Sequence, residues 1–134
     1  MRVVIAQNVS LENHLALSTY LRNIATFLAR RDDIGLNLVV QGPGGSLEGL
    51  PSQRINTVEA HTYTLRGNLE YAVGLLRLLR KLDREGGIDV IHCLYPNSSL
   101  QAAVIFKRLF SPKVRIIYDI RSPWIEVSID TLAL

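Results

Sequence analysis

Apolar positions along this chain change period several times, and each change marks a boundary. Residues 2–7 (RVVIAQ), 36–40 (LNLVV), 55–58, 89–93 (DVIHC) and 114–118 (VRIIY) are short apolar runs with many β-branched side chains. Such runs predict strands, the first of them buried on both faces. Between them the spacing becomes helical. Leu17, Leu21, Ile24, Ala25 and Leu28 predict a helix over 15–31, a leucine-rich face predicts another over 69–82, and 98–110 predicts a third. Ser10 or Asn13 is placed to cap the first helix, and Asn97 or Ser98 the third. Arg30 and Arg31 suit the carboxyl-terminal end of the first helix dipole. Residues 41–52 (QGPGGSLEGLPS) carry four glycines and two prolines and read as a loop. From Trp124 onward the chain reads as a tail that begins another helix.

Strands alternating with helices imply β-α-β units and a parallel sheet. Right-handed crossovers then place helices on both faces. The expected architecture is a single α/β domain over 1–134, a doubly wound Rossmann-like parallel sheet of strand order 3-2-1-4-5. Ligands of open α/β sheets bind outside the carboxyl ends of the strands, at the point where strand order reverses. That rule selects Asn8 and His14 after the first strand, and His92, Tyr95 and Asn97 at the fourth. It also selects Asp119, Arg121 and Ser122 after the fifth. Each has a structural reading beside the functional one. His92 fits a packed core histidine or an acceptor contact, and Tyr95 to Asn97 fit turn and cap chemistry or substrate recognition. Asp119 fits a general base, or an ion pair with Arg121. Arg121 fits bidentate binding of a phosphate or carboxylate. His14 and Asn8 fit a crevice contact or the turn itself.

Composition narrows the class. A chain of 134 residues with 48% hydrophobic and 20% charged residues builds one core. No apolar run approaches the roughly 20 residues that span a bilayer, so a cytoplasmic location is expected. The single cysteine, Cys93, cannot pair internally, lies in an apolar run, and reads as a small hydrophobe. No metal site is expected. A net charge of +3 with few aromatics does not build a nucleic-acid platform. Arg77, Arg80, Lys81 and Arg84 recur on one helical face, read either as a solvated face or as a contact for anionic lipid.

Several motifs are absent. The turn after the first strand, QNVSLENH, lacks the glycines of a dinucleotide fingerprint. No phosphate-binding loop ending in Lys-Ser/Thr occurs, and no Gly-x-Ser-x-Gly elbow. A receiver domain would need acidic residues where Gln7 and Asn8 stand.

Three segments together resemble the amino-terminal half of GT-B glycosyltransferases, in particular the large group 4-like family. RVVIAQN followed by ALSTYLRNIATFLARRDD is similar to that family's opening strand and helix. IDVIHCLYPNSSLQAAVIFKRL is similar to its Asp-Val-Ile-His unit, and VRIIYDIRSPWIE to its later strand and turn. Two positions differ: Leu15-Ala16 stand where the family has a glycine pair, and Tyr118-Asp119 where it often has His-Asp.

The resemblance implies one Rossmann-like half of a GT-B fold, incomplete at its carboxyl end. The whole enzyme would transfer a sugar from a nucleotide-sugar donor to a hydroxyl acceptor. Asp119, His14 and His92 would be its candidate catalytic residues; Asn8, Tyr95, Asn97, Arg121 and Ser122 would bind the acceptor. The donor would be a substrate held mainly by a second, carboxyl-terminal domain outside this chain, with no further cofactor. Expected partners are that domain, a sugar or lipid-linked acceptor, a membrane surface, and a second copy meeting through the apolar tail. This chain alone is then expected to be inactive. The alternatives are a stand-alone interaction module and one half of a GT-B-like sugar-nucleotide epimerase.

Overall fold

The computed structural model describes residues 1–12, 16–42, 45–61, 64–94 and 98–119. Five strands, β1 (Arg2–Gln7), β2 (Gly35–Gln41), β3 (Ile55–Val58), β4 (Val90–Leu94) and β5 (Arg115–Asp119), form one sheet of order β3-β2-β1-β4-β5. Every pairing is parallel. Helix α1 (Ala16–Ala29) joins β1 to β2, α2 (Leu65–Gly86) joins β3 to β4, and α3 (Ser98–Leu109) joins β4 to β5. The Rossmann-like α/β sheet expected from the periodicity is present, with its strand order.

The helices divide between the faces as side-chain alternation requires. Val3 and Ile5 of β1 pack with Leu21 and Ala25 of α1, together with Leu36, Leu38, Val40, Val90 and Leu94. Val4 and Ala6 point the other way, into a cluster with Tyr71, Leu75 and Leu79 of α2 and Ala102, Ala103 and Phe106 of α3. The central strands are apolar on both faces because both faces are covered.

Local chemistry moved several boundaries. The second helix starts at Leu65, four residues before the leucine face begins, because Thr64 caps it: its side chain accepts from Gly67 N at 2.9 Å. It runs on to Gly86 and stops at Gly87, whose φ of 81° suits glycine. A close approach fixes Gly67: a Cβ there would lie 1.6 Å from the His61 carbonyl oxygen. Arg30 and Arg31 follow α1 rather than closing it, and Arg31 instead pairs with Asp33 at 3.0 Å. Ser10 Oγ accepts from Glu12 N at 3.3 Å, closing a turn rather than capping the helix; Asn13 lies outside the described residues.

The glycine-rich stretch after β2 is not wholly surface. Leu47 and Leu50 bridge to each other and are buried in the α1-side core. Gly42 and Gly49 take positive φ there, while two leucines anchor the loop.

Candidate functional site

Burying a polar side chain is costly unless it is satisfied, so buried polar groups locate a site better than exposed ones. Among the described residues, the buried polar side chains are Gln7, Asn8, Ser18, Gln41, Ser98 and Ser99. All stand at the carboxyl edge of the sheet. Gln7 and Gln41 end β1 and β2, Asn8 follows β1, Ser18 lies in the first turn of α1, and Ser98 and Ser99 open α3.

Connections at this edge are specific. Asn8 Nδ2 donates to Asn68 Oδ1 at 3.0 Å, tying the end of β1 to the first turns of α2. Gln41 Nε2 donates to the Ala60 carbonyl at 2.7 Å. Asn8 Oδ1 and Ser98 Oγ are buried and have no hydrogen-bond partner among the described residues. The edge therefore holds uncharged amide and hydroxyl groups, some with unused accepting or donating capacity.

Asp119 closes β5 on the same side of the sheet as α1. The register sets Asp119 beside Leu94 and Ile117 beside His92. Leu94 packs in the α1-side core, so alternation puts His92, Ile117 and Asp119 on that face as well. The Tyr20 hydroxyl of α1 donates to Asp119 Oδ2. A residue of the Ser18-Thr19-Tyr20 segment and the end of β5, 99 positions apart, thus meet across the top of the sheet.

The predicted residues are placed unequally. Asn8 and Asp119 both stand at the carboxyl edge. His92 stands two residues before the end of β4, half-buried, and lines a groove of about 790 Å³ between α1 and β5. His14, Tyr95, Asn97, Arg121 and Ser122 lie outside the described residues. Tyr20, Asn68 and Gln41 are at the edge although periodicity and motif spacing did not single them out. Tyr20 reads as one more residue of an amphipathic helix until β5 is seen beside it.

Among the described residues, neither Cys93 nor Tyr71, both buried, fits a reactive role. Burial pushes the Cys93 thiol up to about 12, and its Sγ contacts the Ser99 carbonyl at 3.5 Å. Burial likewise raises the Tyr71 hydroxyl, which donates to the Val39 carbonyl at 3.0 Å inside the core. Both are packing residues at neutral pH. Among the described residues no cluster of three or more His, Cys, Asp and Glu side chains is placed to hold a metal ion. No helix among them is long and apolar enough to cross a membrane.

No family profile, no curated protein and no solved structure matches this chain.

Proposed function

We propose that this chain is the acceptor-side Rossmann-like half of a GT-B glycosyltransferase, working with a second domain that holds the nucleotide-sugar donor. The observation that carries this reading is the gathering of buried amides and hydroxyls at the carboxyl edge, with Asn8 Oδ1 and Ser98 Oγ left without partners. Uncharged donors and acceptors suit a ligand rich in hydroxyl groups. The resemblance of three ordered segments to the family supports the same reading.

In this mechanism the acceptor hydroxyl attacks the anomeric carbon of the donor sugar, and the nucleoside diphosphate leaves from that carbon. The hydroxyl proton passes to a carboxylate. Asp119 is the carboxylate at the edge, and Tyr20 orients it by holding Oδ2. His92, on the same face two residues back along the neighbouring strand, assists from below, while Asn8 hydrogen-bonds the acceptor. Bringing two substrates together from two domains supplies much of the rate enhancement.

Titration of the isotopically labelled chain with methyl hexosides, and separately with nucleotide sugars, tests this. The hexosides are expected to shift the amide resonances of Asn8, Ser98 and Asp119, and Asn8→Ala to abolish the response. Tight binding of a nucleotide sugar with no response to hexosides overturns the reading and favours the epimerase alternative.

A contact with anionic lipid is the second part of the proposal. Leu69, Val73, Arg77, Lys81 and Arg84 follow one another at helical spacing along α2, and Leu69 is 66% exposed. Arg80 lies over the Phe110 ring at 4.4 Å, adding an aromatic at the end of α3. An apolar and basic stripe of this kind suits a membrane surface. The chain is expected to sediment with vesicles containing phosphatidylserine and to be released by salt. Equal sedimentation with neutral vesicles removes this part of the proposal.

A further inference from the structure

The amino-terminal edge of the sheet, opposite the candidate site, brings two arginines to one cleft. Register sets Arg2 of β1 opposite Gly35 of β2, and Val4 opposite Asn37. Leu38 faces Ile55 of β3, so Arg54, one residue earlier, comes beside Asn37. Two strand spacings put the backbones of the two arginines roughly 10 Å apart, with β2 between them. Val4 and Val39 pack on the α2 side of the sheet, so alternation puts Arg2, Gly35 and Asn37 on that side too. The carboxyl end of α2, from Leu82 to Gly87, walls a cleft of about 250 Å³ there, and Arg54 lines it from the β3 side.

Both arginine side chains turn over the glycine. A Cβ at Gly35 would lie 3.5 Å from Arg54 Nη1 and 3.6 Å from Arg2 Cγ. A Cβ at Gly86 would lie 2.5 Å from Arg2 Nη1, so this guanidinium continues along the last turn of α2. The electronegative end of that helix accounts for the course of Arg2. It does not account for Arg54, which approaches from the other side of β2.

Two positive groups gathered in one cleft call for a counter-charge. Neither guanidinium has an ion pair or a hydrogen bond among the described residues. The nearby acids are directed elsewhere. Asp89 Oδ2 accepts from the Arg2 backbone N at 2.7 Å, and Glu85, which also lines the cleft, pairs with Lys81 at 3.9 Å. Asn37 adds a side-chain amide between the arginines. A guanidinium is a planar fork that matches two phosphate oxygens at once. Two such forks beside a glycine leave room for one phosphate group between them.

We propose that this cleft binds the phosphate group of a small soluble molecule, held by the Arg2 and Arg54 guanidiniums over Gly35. The cleft lies at the opposite edge of the sheet from Asn8 and Asp119, so the inference does not depend on the glycosyltransferase reading.

Titration of the isotopically labelled chain with inorganic pyrophosphate tests the proposal. Saturable shifts are expected at the amides of Gly35, Asn37 and Gly87. Arg54 is exposed, so replacing it leaves the core intact. Arg54→Gln is expected to weaken binding by about tenfold or more. Arg108→Gln removes the same charge from the exposed end of α3 and is expected to change binding by less than about twofold. Arg2→Gln is expected to match Arg54→Gln, and unshifted α3 resonances in each cleft variant show that the fold is kept. Absence of saturable shifts at those amides, or equal losses from Arg54→Gln and Arg108→Gln, overturns the proposal. A parallel titration with phosphatidic acid vesicles separates the two sources of a phosphate group. Saturation by vesicles and not by pyrophosphate would assign the cleft to a lipid headgroup and overturn the soluble ligand.

Discussion

The two faces of this sheet use the same strands and reach different degrees of closure. On one face α2 and α3 lie side by side, and even the edge strand is covered there: Ile116 and Tyr118 pack on the cluster built around Phe106 and Tyr71. On the other face α1, with Leu11, Leu47 and Leu50 from the loops, packs on β1 and β2, and Ile117 of the same edge strand is half exposed. One residue step along β5 therefore separates a partly buried position packed on the core from an exposed one. A parallel sheet needs cover on both faces, so the thinly covered face is where a further segment, partner or ligand has room.

The comparison can be tested from either side. Phe106→Ala removes a fully buried ring from the closed face and is expected to cost about 3–5 kcal/mol in chemical denaturation. A cost near that of a surface substitution would mean the closed face is not the main core. Gly67→Ala acts at the same face through the backbone. The added methyl meets the His61 carbonyl, so a loss of about 2–3 kcal/mol is expected from overpacking. Thermal melting would read it, and an unchanged midpoint would show that the start of α2 moves freely.

Smaller effects are expected on the open face. Tyr20→Phe deletes the hydroxyl that holds Asp119 and is expected to cost about 1–2 kcal/mol while leaving the packing of α1 intact. Ile117→Ala distinguishes a bare face from a covered one. At its 51% exposure it is expected to change stability by less than about 0.5 kcal/mol, whereas a cost of about 1 kcal/mol or more would mark a covered face.

The smallest effect concerns pH. Hydrogen bonds from His61, then from Arg66, hold the Glu70 carboxyl below its ordinary 4.5, at about 2. The folded state therefore binds the proton less readily than the unfolded state. Its contribution to stability is complete above about pH 4.5 and is lost as pH falls from there toward 2. Glu70 is exposed enough for water to screen the pair, so the effect is shallow. Acid titration of Glu70→Gln is expected to show a flatter stability profile across that window, with no change near neutrality.

The sequence by itself determined the order of strands and helices, because hydrophobic period is a local property and survives without any tertiary contact. Parallel pairing and the order 3-2-1-4-5 followed from that alternation and the handedness of crossovers. Asn8 and Asp119 were legible as edge residues for the same reason: each stands where an apolar run ends. The contacts that define the edge were not legible. Tyr20 meets Asp119 across 99 positions, and Asn8 meets Asn68 across 60, and no local pattern encodes which helix turn will stand over which strand end. The start of α2 was equally hidden, since a threonine cap and the tight passage at Gly67 extend that helix beyond its apolar face. Alternation can say that Ile116 and Ile117 point to opposite sides of β5. Only the packing of helices on each side decided that Ile116 is partly buried against the core and Ile117 left open.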